Sequence, residues 1–304
     1  MANKLNESIL ELIRKTSTEL PKDVADAVHL WQKKETPGSR ARYAMDIICE
    51  NLKLAGKASQ PICQDTGSIL FFIKAPVGFN QAEFEEAAKW AVAEATAKGY
   101  LRQNSVDSLT GKNSGNNLGP GFPHFHFEQY ASPSPLPLSH QGRGNMEVKL
   151  ILKGGGCENC GAQYSLPDKK LDAQRNLDGV RKCILDCVLQ AQGKGCAPGI
   201  LGACVGGDRA TSYLHSKEQL LRPLTDKNPI PELAKMEAEI LEKANTLGIG
   251  PMGFGGETTL LGCKIGALNR VPASFFVSIS YMCWADRRQG VELDEEGKIG
   301  KWLY

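Results

Sequence analysis

Five apolar residues in a row, Ile69-Leu70-Phe71-Phe72-Ile73, have the length of a strand buried in a sheet and are too few for a stable helix. Pro76-Val77-Gly78 closes the run. Directly before it stands Gln60-Pro61-Ile62-Cys63-Gln64-Asp65-Thr66-Gly67, which gathers a thiol, an amide, a carboxylate and a hydroxyl at the strand's entrance. Thr66-Gly67 suits a tight bend, because glycine tolerates positive φ. Polar residues collect in turns anyway, so this segment on its own reads equally as a turn and as a site.

Other runs repeat the arrangement. Pro123 opens an alternating segment, His124-Phe125-His126-Phe127, and Val148, Leu150 and Leu152 alternate like its partner strand. Residues 200–205 form another apolar run, and Phe275, Val277, Ile279 and Tyr281 alternate in a strand that delivers Cys283 at its end. Helical periodicity separates these strands. Leu5, Ile9, Leu12 and Ile13 share one spacing, Pro21 breaks it, Val24, Val28 and Trp31 resume it, and Pro37-Gly38 ends it before a third helix over about 39–54. Further helices are expected over 81–97, 177–192, 210–221 and 231–248.

The alternation predicts an α/β fold of mixed sheets covered by helices, with a helical amino-terminal part over about 1–56 and the chemistry at strand-end loops. Residues 131–145, rich in proline, serine and glycine, are expected to be a low-complexity hairpin insertion between two strands. At 304 residues the chain is long enough for one large domain or two smaller ones.

Lys+Arg 36 against Asp+Glu 34 leaves a net charge of +2, and no block of five like charges occurs. Neither a nucleic-acid footprint nor a membrane-surface footprint is indicated. No apolar segment approaches a membrane span and the first residues lack a secretory pattern, so a soluble, cytoplasmic protein is expected. A small molecule or another protein is the expected partner.

Ten cysteines are spread from Cys49 to Cys283, unlike the dense framework of a small secreted fold. Cys183 and Cys187 fall in a helical apolar stripe, where thiols act as small hydrophobes. Cys63, Cys196 and Cys283 instead lie in polar or glycine-rich segments bordering strands. Cys157 and Cys160 form a C-x-x-C after Gly154-Gly155-Gly156, whose missing Cβ atoms let a ligand approach the backbone. Two thiols do not close a tetrahedral zinc site, and a redox pair asks for a helix amino terminus beneath it.

Three cysteines holding an iron–sulfur cluster would leave one iron open, because such clusters usually take four. An open iron is a Lewis acid able to turn a hydroxyl into a leaving group. That chemistry needs an acid/base group and cations or amides for substrate carboxylates, types that Asp65, Arg102, Asn116 and Asn117 supply. The amide-rich segment 110–117 reads as a solvated loop and lacks the phosphate-loop pattern, while Gly206-Gly207-Asp208 reads equally as an anion site and as a plain strand-to-helix turn. Residues 250–256 form a second flexible glycine loop. His124 and His126 share a strand face, but no third ligand lies nearby, which favours a polar strand face.

Cys-Gln-Asp-Thr-Gly at 63–67, Gly-Gly-Gly-Cys at 154–157, Cys-Ala-Pro at 196–198, Gly-Gly-Asp-Arg-Ala-Thr at 206–211 and Cys-Trp-Ala-Asp-Arg-Arg at 283–288 occur in this order. Together they resemble the amino-terminal or α-subunit portion of the iron–sulfur class I fumarase and tartrate dehydratase family, over nearly the whole chain except the insertion. The resemblance implies a [4Fe-4S] cluster held by Cys63, Cys196 and Cys283, with the fourth iron binding substrate. It implies Asp65 as a catalytic group, and Gln64, Arg102, Gly155 and Gly156 near the substrate or cluster.

It also implies a small dicarboxylate substrate, reversible hydration of fumarate to (S)-malate, and a second half supplied by a β subunit or carboxy-terminal domain that this chain is expected to lack. An oligomer is expected. Many members carry a histidine upstream of the third cluster cysteine where this chain has Val271. The alternatives are an L-tartrate dehydratase α subunit and a non-catalytic iron–sulfur or zinc-binding scaffold using Cys157 and Cys160 with another thiol.

Overall fold

A computed structural model describes residues 2–131 and 145–304. The insertion at 131–145 lies, apart from its two end residues, outside the described residues. In chain order the elements are α1 (Ala2–Thr18), α2 (Lys22–Lys34), α3 (Arg40–Ala58), β1 (Ser68–Pro76), α4 (Gln81–Ala97), β2 (His124–Tyr130), β3 (Met146–Lys153), α5 (Gly155–Asn159), β4 (Ala162–Ser165), α6 (Leu177–Ala191), β5 (Gly199–Val205), α7 (Arg209–Gln219), α8 (Pro231–Asn245), β6 (Leu260–Ala267), β7 (Phe276–Met282), β8 (Arg288–Leu293) and β9 (Ile299–Trp302). The fold is mixed α/β, with two mixed sheets and helices against them.

The chain divides into two compact units, one of Met1–Pro21, Asn51–Gly154 and Arg287–Tyr304, the other of Lys22–Glu50 and Gly155–Asp286. The three expected amino-terminal helices form, broken where Pro21 and Pro37-Gly38 break the periodicity. They do not make a body of their own, because α1 belongs to the first unit and α2 to the second.

The first unit holds a five-stranded sheet in the order β2-β1-β3-β8-β9. β1 is parallel to β2 and antiparallel to β3, with Phe71 opposite Phe125 on one side and Leu150 on the other. The predicted pairing of β2 with β3 is therefore corrected: β1 lies between them. The reason is physical. Most of β1 is buried on both faces, which suits a central strand bonded along both edges, whereas β2 is partly exposed throughout and suits an edge. Leu5, Ile9, Leu12 and Ile13 of α1 and Phe84, Ala88 and Val92 of α4 share a core with Ile69, Phe71 and Ile73. Phe71 meets Phe84 edge-on at 6.2 Å.

The second unit holds a four-stranded sheet in the order β4-β7-β5-β6, with β5 parallel to β6 and antiparallel to β7. Val180, Ile184 and Val188 of α6 and Leu233, Met236 and Ile240 of α8 bury the sheet's apolar residues. Cys183 and Cys187 lie in this core, as their helical stripe predicts. Asn176 caps α6 by accepting from the Gly179 amide at 2.8 Å. Among the described residues no helix is long and apolar enough to cross a membrane.

Candidate active site

In the first unit the segment from Cys63 to Gly67 is a loop entering β1, held from several sides. Ahead of it, the Ile62 amide donates to the Ser17 carbonyl at 3.0 Å, and Asn51 Nδ2 donates to the Ile62 carbonyl at 2.9 Å. Within it, Thr66 is buried and its Oγ1 accepts from the Arg102 backbone amide at 3.1 Å. The Asn104 carboxamide is oriented by its surroundings with the oxygen toward the loop, where it accepts from the Thr66 amide at 3.0 Å, Thr66 Oγ1 at 3.1 Å and the Gly67 amide at 2.8 Å. Gly67 has φ +76°, and a Cβ there would lie 2.3 Å from the Lys153 carbonyl group. Only glycine fits this bend, as the sequence implied.

Arg287 closes the other side. It is 1% exposed, and its Nη1 donates to the Asp65 carbonyl at 2.7 Å. Asp65 Oδ2 and Arg287 Nη2 lie 3.0 and 3.7 Å from where a Cβ on Gly154 would stand, so the bare backbone of Gly154 makes room for a carboxylate beside a buried guanidinium. Lys153, immediately before it, is fully buried. Gln64 and Arg102 are exposed, and the Arg102 guanidinium makes no hydrogen bond or ion pair among the described residues. It is open to a dissolved anion.

Asn117 plays a different part from the one its type suggested. It is 1% exposed, with Oδ1 accepting from the Asn104 and Ser105 amides at 2.8 and 3.1 Å and Nδ2 donating to Thr96 Oγ1 and the Arg102 carbonyl at 2.9 and 2.6 Å. Every hydrogen-bonding position of this carboxamide is used inside the protein. It therefore fixes the backbone that carries Arg102. The exposed Asn116 accepts from the Leu118 amide, and Asn113 bonds to Gln103 and Gly115, so this loop's amides serve its own shape. The rings of His124 and His126 lie beside those of Phe122 and Phe72, at 5.6 and 4.8 Å between centroids.

In the second unit Cys196 follows a turn of 3-10 helix and precedes β5, while Cys283 directly follows β7. Their backbones meet: the Trp284 amide donates to the Cys196 carbonyl at 3.4 Å. Cys196 takes a left-handed conformation with φ +53° and is partly exposed. Beneath the loop lies the Tyr281 ring, whose atoms would stand 2.3 and 2.4 Å from a Cβ on Gly195 or Gly199. Burial pushes the Tyr281 phenol well above its ordinary range, and Cys283, Cys157, Cys160 and Cys196 all act on it in the same direction.

Cys157 is buried on the single-turn α5, and the Cys160 carbonyl accepts from Cys187 Sγ at 3.3 Å. Gly155 and Gly156 are exposed, and a Cβ on Gly156 would meet nothing nearer than the Lys194 carbonyl at 3.9 Å. Space for a ligand remains there. The turn at 206–208 is already filled by its own anion, because the Asp208 carboxylate accepts from the Ala210 and Thr211 amides at 2.8 and 3.1 Å and completes a capping box with Thr211. That favours a plain strand-to-helix turn.

Cys63 belongs to the first unit, and Cys196 and Cys283 to the second. All three are thiols on strand-bordering loops, a donor set suited to iron–sulfur ligation. Among the described residues no three His, Cys, Asp or Glu side chains converge on a single metal ion.

Residues 6–292 match the family described as fumarate hydratase (Fumerase). The chain belongs to this family. Among fumarate hydratase relatives, a protein named "Putative fumarate hydratase class I" from Geobacillus stearothermophilus is 54% identical over 305 residues, covering 99% of this chain and 57% of its own length. The chain thus spans little more than half of that relative. A protein named "Putative L(+)-tartrate dehydratase subunit alpha" from Methanocaldococcus jannaschii is 34% identical over 97% of this chain and 100% of its own length. The L(+)-tartrate dehydratase subunit alpha of Escherichia coli K12 is 31% identical over 94% of this chain and 89% of its own.

Sequence reasoning gave no role to Arg287, Asn104 or Tyr281. Arg287 carried a weak signal as part of the motif after Cys283. Tyr281 read only as an alternating strand residue, and nothing near Asn104 marks it as the brace of a distant loop.

Proposed function

We propose that the chain is the α portion of a class I fumarate hydratase, a hydro-lyase that interconverts fumarate and (S)-malate in the cytoplasm. Cys63, Cys196 and Cys283 are the proposed ligands of a [4Fe-4S] cluster, which when bound supplies a Lewis acid for the substrate hydroxyl. Asp65 is the proposed catalytic carboxylate: anchored at its carbonyl by Arg287, it orients the substrate or holds the proton that hydration moves. Arg102 is proposed to bind a substrate carboxylate through its planar fork, with Gln64 beside it and the exposed Gly155 and Gly156 leaving room for the ligand.

The observation that carries this reading is the braced Cys63–Gly67 loop, which pairs a thiol with an aspartate whose backbone carbonyl is held by a buried arginine, within a chain of the fumarate hydratase family. A partner is part of the proposal. Two relatives are named as α subunits, and a third extends well beyond the matched length, so a β subunit or further domain is proposed to complete the enzyme.

Tartrate dehydration is the second reading, favoured by the relative that matches along its full length. An anaerobic assay of reconstituted protein with fumarate, malate and both tartrates, with and without a co-expressed partner, separates these readings. Turnover of fumarate only with the partner is the expected result. Full turnover by this chain alone removes the partner from the proposal, and turnover of tartrate but not fumarate removes the first substrate.

A further inference from the structure

The glycine loop at 250–256, flexible by composition, is tightly held. The Gly255 amide donates to the Ile249 carbonyl at 2.9 Å, and the Gly250 amide donates to Thr259 Oγ1 at 3.3 Å. The loop's exit is pinned by Glu35, which follows α2 and is 1% exposed. Glu35 Oε1 accepts from the Thr258 amide at 2.8 Å and both its oxygens accept from the Glu257 amide, at 3.2 and 3.1 Å. No cation pairs with this carboxylate among the described residues, so it is a buried acidic group satisfied by backbone alone.

The held loop in turn grips the Cys196 segment. The Met252 amide donates to the Ala197 carbonyl at 2.8 Å, and the Gly199 amide donates to the Thr259 carbonyl at 2.9 Å. A Cβ on Gly253 would stand 3.0 Å from the Gly193 Cα, which marks how closely the two backbones run. The contacts on either side of Cys196 therefore lead through 250–259 to Glu35.

We propose that Glu35 is a positioning residue for the Cys196 thiol, acting through the 250–259 loop. The inference rests on the assignment of Cys196 as a cluster ligand for its functional meaning, but not for its geometry. Removing the carboxylate leaves the Glu257 and Thr258 amides without their acceptor and lowers the cost of opening this loop locally, without touching Cys63.

The test is site-resolved alkylation of the cluster-free full chain with N-ethylmaleimide, read by mass spectrometry. In Glu35→Ala the rate at Cys196 is expected to rise roughly tenfold, with Cys63 unchanged. Glu35→Gln keeps one acceptor oxygen and is expected to return Cys196 to within about threefold of the wild-type rate. Should Glu35→Ala fail to fold, Gly253→Ala disturbs the same contacts from the other end and is expected to expose Cys196 selectively. A folded variant of either kind with wild-type Cys196 reactivity overturns the proposal, as does an equal rise at Cys63. Iron retention by Cys196→Ser would instead remove the ligand assignment while leaving the alkylation result standing.

Discussion

Arg287 Nη1 donates to the backbone carbonyl of Asp65 at 2.7 Å, from a guanidinium that is 1% exposed. Lysine would keep the charge but lose the planar fork that reaches the carbonyl and the space beside Gly154 together. On the proposed function, with Asp65 as the proposed catalytic carboxylate, Arg287→Lys is expected to lower kcat/KM for fumarate by roughly 10- to 100-fold through misplacement of Asp65, with kcat carrying most of the loss. Steady-state kinetics of the partnered enzyme measure this. A wild-type kcat in Arg287→Lys would show that Asp65 does not depend on the contact.

Gly67 is the tightest point of the same loop, at φ +76° with the Lys153 carbonyl group 2.3 Å from any added Cβ. Gly67→Ala must either push β3 away or abandon the bend, and both strain the centre of the sheet. Destabilisation upwards of about 3 kcal/mol is expected. Urea denaturation reads it, with Gly111→Ala, whose added Cβ has nothing within 4 Å, as the control for positive φ alone.

Asn117 ties Arg102 to the helix beneath through Thr96 and the Arg102 carbonyl. Asn117→Asp keeps the acceptor but sets a carboxylate oxygen against that carbonyl, at a cost of about 2 kcal/mol in stability. KM for fumarate is expected to rise more than kcat falls, because the displaced group is the proposed carboxylate anchor. Equal KM values in variant and wild type would separate Arg102 from substrate binding.

Elements with a strong local signal were legible in the sequence: α4 spans the expected 81–97, and the apolar run at 69–73 became β1. β8 was not legible. Its residues Arg288, Gln289 and Gly290 are buried polar or small groups that give no apolar period, so only the sheet makes them strand. Pairing was misread for a related reason, since β2 and β3 are neighbours along the chain while β1 satisfies both. At the site, the glycine of the Cys63–Gly67 bend was predictable from local chemistry. Asn117 looked like a ligand amide because residue type does not report burial, and Arg287 bonding Asp65 across the sequence has no local signature.

The remaining thiols divide by burial. Burial raises Cys204 to about 11 and Cys183 to about 12, the latter with help from Asp168 and Asp186. At pH 8 the thiolate fraction of Cys204 is on the order of one in a thousand, so alkylation should reach the partly exposed Cys63 and Cys196 first. The same shift carries a sign for stability. An unfolded thiol ionises near its ordinary value of 9.0 while the folded one holds its proton, so stability present below that value is lost as pH rises through it toward 11. The urea midpoint is expected to fall between pH 8 and pH 10.5, and to fall less in Cys204→Ala. Equal pH slopes in the two proteins would contradict this.

Cluster ligation separates the thiols in another way. Cys196 sits in a left-handed turn whose carbonyl bonds to the residue after Cys283, and Cys63 stands next to the braced Asp65 loop, whereas Cys160 follows the short α5 and its carbonyl accepts from Cys187 Sγ. Anaerobic reconstitution of Cys63→Ser, Cys196→Ser and Cys283→Ser is expected to leave each without stoichiometric iron and sulfide, because a hydroxyl is a poor substitute for a thiolate toward iron. Cys160→Ser should retain both. The opposite pattern, with metal lost from Cys160→Ser and kept by Cys196→Ser, would favour a scaffold that binds metal through the C-x-x-C pair. Retention by Cys63→Ser alone would remove the Cys63–Gly67 loop from the cluster and leave Asp65 without the neighbour that gives it a catalytic role.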